Sequence, residues 1–147
     1  ELADMTEKRA GRGGATLLAS NQPNDHMELP MSSTPKTFNL NSNTAIPAVG
    51  FGTYLISNDD AEMAINAAIM AGYRHIDTAS GYQNEETVGA GIRKGLQSAG
   101  ISRADLFVTA KLWPGNPAWG DAPKTGTQTI EECEASLARL GLDYVDL

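Results

Sequence analysis

From Phe38 to the last residue, the sequence alternates between short patterns typical of strands and longer patterns typical of helices. Strand patterns occur at 49–53, 74–79, 106–110 and 144–147, and helical patterns fill the intervals between them. Strands that alternate with helices in this way indicate parallel strands joined by right-handed crossovers. The fold class is therefore α/β, and it is either an open doubly wound sheet or the start of an eight-stranded barrel.

The first strand pattern bears on that choice. Gly50-Phe51-Gly52 is followed by Thr53-Tyr54-Leu55, so the G-x-G-x-x-G turn of a dinucleotide-binding doubly wound sheet is missing. A closed barrel takes eight strands and typically ~250 residues. If the fold is a (β/α)8 TIM barrel, these 147 residues hold its first half.

Turn and cap residues set the expected element boundaries. A hairpin is expected over Phe38 to Val49, turning at Asn41-Ser42-Asn43. The first helix is predicted to be capped by Asp59 or Asp60 and to end at Gly72. Its apolar face is predicted to consist of Ala61, Ala64, Ile65, Ala68 and Ile69.

Two further helices are predicted from the same signals. One begins near Asn84, with Glu85 and Glu86 in its first turn, and ends at Gly100. The other begins near Thr129, where Glu132 completes a capping-box spacing, and ends at Gly141. Its apolar stripe is predicted to comprise Ile130, Cys133, Leu137 and Leu140.

Composition divides the chain near residue 36 and limits its partners. Residues 1–36 are rich in charge, glycine and proline without a helical or strand period, so a flexible tail is expected before a domain at 37–147. His26 lies in this tail and is assigned no role. A net charge of −7 argues against broad contact with nucleic acid or an anionic membrane. The single cysteine, Cys133, excludes an internal disulfide and a cysteine-built metal site.

Three of the strand patterns end in residues that could carry chemistry. Tyr54 follows the first, Asp77 and then Tyr82 follow the second, and Lys111 and then Trp113 follow the third. In a barrel these positions converge on one rim, where active sites lie. A lysine close to a tyrosine stabilises the phenolate, and a carboxylate paired with the lysine keeps it charged. The three groups would make a proton donor suited to an oxygen that gains negative charge, as in carbonyl reduction by hydride.

Each of these residues taken alone also has an ordinary structural interpretation. An aspartate at a strand end can cap a helix or form an ion pair, a lysine can be solvated, and a loop tyrosine can be half-buried against its neighbours. His75 and Cys133 are expected to be structural residues of a strand and a helix. Trp113 and Trp119 are either loop anchors or a wall of a substrate pocket.

Longer motifs resemble those of the aldo-keto reductases. The run Gly72 to Gly89, GYRHIDTASGYQNEETVG, is similar to that family's signature, and Gly50 to Tyr54 resembles its first-strand motif. Thr109 to Trp113 resembles its catalytic-lysine strand, and Leu142 to Leu147 resembles the start of its fourth strand. The resemblance covers residues 37 to 147.

The resemblance implies a (β/α)8 barrel, closed at the bottom by the hairpin, that reduces aldehydes or ketones with NADPH and no metal. By the family pattern Tyr82 is the general acid and is tuned by Lys111 and Asp77, and Asp77 also lies near the nicotinamide ribose. Trp113 forms the aromatic wall of the pocket for a small carbonyl substrate. The residues implied to run beside the cofactor are Gly50, Phe51, Gly52, Thr53 and Tyr54. A cytoplasmic monomer is the corresponding expectation.

Two departures from the family pattern stand out. The family's catalytic histidine is expected about four positions beyond Leu147, so these 147 residues are interpreted as a fragment that is inactive when isolated. The segment Pro114 to Thr125 is longer than the family's usual connection and borders the expected pocket. The alternative function is a non-catalytic regulatory or interaction protein, or an inactive truncated relative, on the same fold.

Overall fold

The computed structural model describes residues 36–147. The tail prediction for residues 1–36 and the position of His26 therefore lie outside the described residues, Lys36 excepted. Within the described part, no helix combines the length and the apolar character that a membrane span requires.

The chain enters the described region through the predicted hairpin. Strand β1 (Thr37–Asn39) pairs antiparallel with β2 (Ala45–Pro47), and Phe38 lies opposite Ile46. The turn between them is closed by the Leu40 amide, which donates to the Thr44 carbonyl at 2.8 Å. Asn43 adopts a positive φ of 61° there, a conformation that asparagine tolerates better than most residues.

Three parallel strands form the central sheet in the order β3-β4-β5. These strands are Phe51–Gly52, His75–Asp77 and Phe107–Thr109. The register places Gly52 beside Asp77 and Asp77 beside Thr109. The α/β class and its parallel pairing are confirmed, whereas the described residues form no closed barrel.

Helices α1 (Asn58–Met70) and α2 (Glu85–Ala99) cover one face of this sheet. Glycines of α2 let the two helices approach closely, because a Cβ on Gly91 would come within 2.7 Å of the Ile65 side chain. A mid-helix glycine costs about 0.5–1 kcal/mol of helix stability, which the close packing offsets. The buried core between the helices and the sheet consists of Ala61, Ile65, Ile69, Ile76, Val88, Ile92, Leu106, Val108 and Leu140.

Two predicted helix starts are wrong by two to four residues. The cap of α1 is Ser57 rather than Asp59 or Asp60, and its side chain accepts from the Asp60 amide. Helix α3 (Gly126–Leu140) is capped by Thr125 in a capping box with Gln128, not by Thr129 with Glu132. Ser57 and Thr125 each have extended backbone angles, which a cap needs, whereas the predicted residues already lie inside the helices.

The apolar stripe predicted for α3 is only partly buried. Leu140 is buried and Leu137 is half-buried, but Ile130 and Cys133 are exposed. The expectation that Cys133 is a core residue is therefore wrong. Among the described elements α3 packs on α2 near its own C-terminus, where a Cβ on Gly89 would meet the Leu140 carbonyl, so its first turns remain open.

The predicted fourth strand is an extended segment alongside β5 rather than a regular strand. The Asp146 amide donates to the Val108 carbonyl at 2.9 Å, and the Ala110 amide donates to the Leu147 carbonyl at 2.9 Å. The Asp146 carboxylate accepts from the Val108 amide at 2.8 Å and pairs with Arg103 at 2.8 Å. A side chain thus takes a position in the ladder that a backbone carbonyl would normally occupy.

Candidate active site

The carboxyl ends of β3, β4 and β5 form one rim that carries most of the predicted site residues. Alternate residues of a strand face opposite sides of the sheet. Ile76 and its partner in register, Val108, are fully buried, while Asp77, the next residue of β4, keeps 37 % of its side-chain surface exposed. The polar residue is therefore on the side away from the helical layer.

The structure brings Asp77, Lys111 and Tyr82 together. Lys111 Nζ donates to Asp77 Oδ1 at 2.6 Å, and the same ammonium lies 5.2 Å from the centroid of the Tyr82 ring. The Lys111 side chain is 42 % exposed, so the ion pair borders solvent. The arrangement places a cation beside a phenol and a carboxylate beside the cation.

The loop that carries Tyr82 is tied directly to the Lys111 backbone. The Ser80 amide and hydroxyl both donate to the Lys111 carbonyl, at 2.9 and 3.2 Å. Tyr82 ends the short 3₁₀ turn Ser80–Tyr82, and Gln83 leaves it in the left-handed conformation. Ser80 therefore fixes the spacing between the two residues, a role that the sequence analysis did not identify.

Buried polar contacts hold the loop after β3 in place. The Thr53 hydroxyl donates to the Thr78 hydroxyl at 2.9 Å, and the Thr53 amide donates to the Asp77 carbonyl at 3.0 Å. The Asn84 amide group donates to the Thr53 and Ile56 carbonyls, both at 3.0 Å. Thr53, Thr78 and Asn84 are buried, which makes these bonds the fixed part of the rim.

Thr78 and Asn84 were missed as site residues. Asparagine at the start of a helix has an ordinary explanation as a cap. The Asn84 side chain makes no cap bond and instead reaches across to the first loop. The sequence does carry a signal for Thr78. Two polar residues, Asp77 and Thr78, come directly after the buried part of a strand, where their side chains can lie inside the fold.

The segment predicted to run beside a cofactor is divided between two environments. Phe51 packs against the core and meets the Tyr73 ring edge-on at 5.5 Å, so its side chain does not join the rim. Gly50 lies against the His75 ring, where an added Cβ would come within 2.5 Å of Nδ1. Gly52 and Tyr54 are exposed at the rim, and space is open where a Gly52 Cβ would lie.

A largely apolar cavity of about 310 Å³ opens beside the ion pair. The Tyr54 and Tyr82 rings lie 5.0 Å apart at a tilt of 54°. Trp113 forms another wall of this cavity. The lining residues are Tyr54, Ala79, Gly81, Tyr82, Lys111, Leu112 and Trp113.

His75 lies two residues before Asp77 on β4, and its side chain links β4 to β5. Its Nε2 is 3.0 Å from the Thr109 hydroxyl, and the Phe107 ring meets its imidazole edge-on at 5.3 Å. Burial lowers the pKa of His75 below 6.5, and the nearby Asp77 carboxylate acts in the opposite direction. The hydrogen-bonded location fits the structural role expected for it.

Within residues 36–147, no group of three or more histidine, cysteine, aspartate or glutamate side chains is placed to hold a metal ion. The rim instead offers a cation, a carboxylate, a phenol and an apolar cavity. Such a set can bind a small uncharged molecule and transfer a proton to an oxygen held near Tyr82.

Comparison with known proteins finds one matching family and several similar proteins. A sequence profile described as the Aldo/keto reductase family matches residues 48–147. An uncharacterized oxidoreductase of Bacillus subtilis, YtbE, is 41 % identical over 109 residues, which cover 74 % of this chain and 36 % of that protein. Morphine 6-dehydrogenase of Pseudomonas putida is 42 % identical over 117 residues, 80 % of this chain and 36 % of that one.

Solved structures agree with the sequence comparison. An aldo-keto reductase of Bombyx mori, solved in complex with NADP, superposes with a TM-score of 0.68 at 38 % identity, covering 78 % of this chain and 37 % of that one. An aldo/keto reductase of Brucella melitensis gives a TM-score of 0.64 at 43 % identity, covering 79 % and 40 %. The chain spans about a third of the length of the curated relatives described above.

Proposed function

This chain belongs to the aldo/keto reductase family, and from that premise we propose that the full protein containing it reduces aldehydes or ketones to alcohols with NADPH. The observation that carries the proposal is the contact of Lys111 with both Asp77, at 2.6 Å, and the Tyr82 ring, at 5.2 Å. The complete (β/α)8 barrel belongs to the same proposal, because the chain spans only about a third of its relatives.

Tyr82 is the proposed proton donor to the carbonyl oxygen. As the carbonyl is reduced, its oxygen gains negative charge, and a proton from the phenol completes the alcohol. The Lys111 ammonium stabilises the phenolate that Tyr82 leaves behind. Asp77 holds that ammonium at the rim, so the cation stays beside the phenol while substrate displaces water from the cavity.

The rim has features that fit a nicotinamide cofactor. Gly52 is exposed and has open space at its missing Cβ, so a flat group can approach its backbone. Asp77, its neighbour in register, keeps an exposed carboxylate that can accept from a ribose hydroxyl. When bound, the cofactor supplies the hydride. The proposed contacts are with Gly52, Tyr54 and Asp77, while Gly50, Phe51 and Thr53 support the segment from beneath.

Replacing Tyr82 by phenylalanine tests the proposal. In the full protein, Tyr82→Phe should lower kcat for aldehyde reduction by ~10²-fold or more, because general-acid transfer contributes on that scale. NADPH affinity, measured by quenching of protein fluorescence, should be retained, since the ring remains.

The matched control removes a hydroxyl from another tyrosine. Tyr144 packs over the Arg103 guanidinium at 4.0 Å and does not line the cavity, so Tyr144→Phe should keep full activity. Full turnover in Tyr82→Phe would overturn the assignment of the proton donor. Wild-type protein that oxidises no NADPH with any aldehyde would contradict the enzymatic function and favour the non-catalytic alternative.

A further inference from the structure

The connection between β5 and α3 brings a second indole onto Trp113. Trp119 stacks on Trp113 with 5.6 Å between the ring centroids and 9° between the planes. The Asp121 carboxylate accepts from Trp113 Nε1 at 3.3 Å. The Trp113 ring is thus contacted on its face and at its N–H edge, and rotation of its side chain would break both contacts.

The segment that carries Trp119 and Asp121 is held together by hydrogen bonds between its own residues. The Asn116 side chain accepts from the Ala118 amide at 3.0 Å, and the Asn116 carbonyl accepts from the Asp121 amide at 3.1 Å. At its base, the Lys124 amide donates to the Pro114 carbonyl at 3.0 Å. Trp119 therefore sits at the end of a braced 3₁₀ turn, Pro117–Trp119, rather than on an unsupported loop.

The exposure of the two indoles separates their roles. Trp113 lines the cavity, whereas Trp119 lies outside the lining and leaves 73 % of its surface exposed. Burial of Trp119 in a core does not explain its presence. Its extensive ring contact is with Trp113, so any influence of Trp119 on the cavity passes through that ring.

We infer that Trp119 and Asp121 are positioning residues that fix the Trp113 indole as a flat wall of the cavity. The inference rests on the proposed carbonyl reduction and adds a substrate preference to it. A fixed indole that lines the same cavity as the Tyr54 and Tyr82 rings favours a carbonyl compound with a flat conjugated substituent, because aromatic rings gain from stacked and edge-on contacts. A puckered aliphatic ring of similar size cannot make those contacts.

The test compares benzaldehyde with cyclohexanecarbaldehyde in the full protein. The two aldehydes have the same number of carbons, but benzaldehyde has a flat conjugated ring and cyclohexanecarbaldehyde a puckered saturated one, so each variant is compared with the wild type on the same aldehyde. Trp119→Ala should raise the KM for benzaldehyde by about fivefold, the scale of one aromatic contact, and leave kcat nearly unchanged. The KM for cyclohexanecarbaldehyde should change by less than about twofold, since that ring gains little from stacking. Trp119→Phe, which keeps a stacking ring, should restore most of the preference.

A spectroscopic measurement reports on the stack without catalysis. Two indoles in near-parallel contact couple their transitions and give a paired positive and negative signal in circular dichroism, which Trp119→Ala should abolish. Phe38→Ala is the matched control, because Phe38 is an exposed aromatic residue on β1 and should leave both readouts unchanged.

The outcomes separate this inference from the proposed function. Equal losses of kcat/KM for both aldehydes in Trp119→Ala, or no change with either, would overturn the positioning role. If the wild type reduces other aldehydes but not benzaldehyde, the substrate preference is overturned while the proposed function stands; if it reduces no aldehyde at all, the proposed function fails. The dichroism signal then still decides whether Trp119 holds Trp113, and a wild-type signal that persists in Trp119→Ala would refute it.

Discussion

The loops that follow β4 and β5 border the same cavity but are held in place in opposite ways. Residues 78–84 are anchored by buried bonds to neighbouring loops, such as Thr53 to Thr78 and Asn84 to the Thr53 carbonyl. Residues 112–125 are mostly exposed and are braced mostly by bonds within the loop itself. The first loop carries the proposed proton donor, and the second presents the stacked indoles.

This difference follows from what each loop must do. Proton transfer requires heavy atoms placed within a few tenths of an ångström, so its supports belong to the buried part of the fold. A wall that recognises shape tolerates more movement and can be built on an exposed segment. We therefore expect changes in the first loop to affect kcat and stability, and changes in the second to affect substrate preference alone.

Among changes to the residues that support the two loops, the largest effect is expected from Asn84→Ala. This change leaves the carbonyls of Thr53 and Ile56 without their donor, which should cost about 1–3 kcal/mol of unfolding free energy. Because Tyr54 then loses its fixed position beside Tyr82, kcat should fall by about tenfold. Urea unfolding and steady-state kinetics on the full protein measure the two effects.

Asn58→Ala is the control for that change, because Asn58 also donates to a backbone carbonyl, that of Gln83 at 3.2 Å, but in an exposed position. It should alter neither quantity appreciably. An Asn84→Ala protein that is less stable yet has unchanged kcat would show that the first loop is not coupled to the chemistry.

A smaller and more selective effect is expected from Gly115→Ala. Gly115 has a φ of +89°, and an added Cβ would lie 2.2 Å from the Ala122 carbonyl oxygen, so the second loop must open. The preference for benzaldehyde over cyclohexanecarbaldehyde should fall about threefold, and kcat should be retained. Kinetics with both aldehydes give the result.

Gly120→Ala provides the comparison within the same loop. Gly120 has a similar φ of +85°, but nothing lies within 4 Å of its added Cβ. Its cost is limited to the backbone conformation, about 1–2 kcal/mol. If the two variants shift the preference equally, close approach at Gly115 does not set the shape of the loop.

The smallest effect concerns His75, which joins β4 and β5 beneath both loops. Burial lowers its pKa below 6.5, so the unfolded chain takes up a proton before the folded one as the pH falls. This contribution to stability is complete above pH 6.5 and decreases as the pH falls from 6.5 towards the lower folded value. His75→Gln should therefore show a smaller decrease in Tm between pH 7.5 and 5.5 than the wild type.

Thr109→Val separates burial from hydrogen bonding in this response. It removes the partner of His75 Nε2 and adds no charge, so the pH dependence should persist. An identical decrease in Tm for His75→Gln and the wild type would show that other groups cause the acid sensitivity.

Much of the fold could be predicted because local chemistry determined it. Gly72, Gly100 and Gly141 follow the three helices with φ values of +99°, +65° and +63°, a conformation that glycine adopts at little cost. The helix starts were harder, since Ser57, Asp59 and Asp60 lie within four residues and all can serve as caps. Only the backbone angles of the preceding loop distinguish them.

The site was predicted less completely. Asp77, Lys111 and Tyr82 could be grouped because each follows a strand, and parallel strands end at one rim. The contributions of Ser80 and Asn84 depend on where their side chains reach across the fold, at sequence separations of 31 and 28 to 31 residues. Local sequence patterns do not predict side-chain contacts over such separations. They do not predict the contact of Trp119 with Trp113 either.

The Asp146 carboxylate has a consequence for how this sheet meets other chains. An outer strand offers a row of unpaired amides that another strand can bind, which is a route to aggregation. On β5, the Val108 amide is already taken by Asp146, whose charge is balanced by Arg103. To pair with β5, a strand from another molecule would have to displace both this ion pair and the backbone bonds that residues 146 and 147 already make to β5, so the Asp146 carboxylate helps to protect this edge of the sheet.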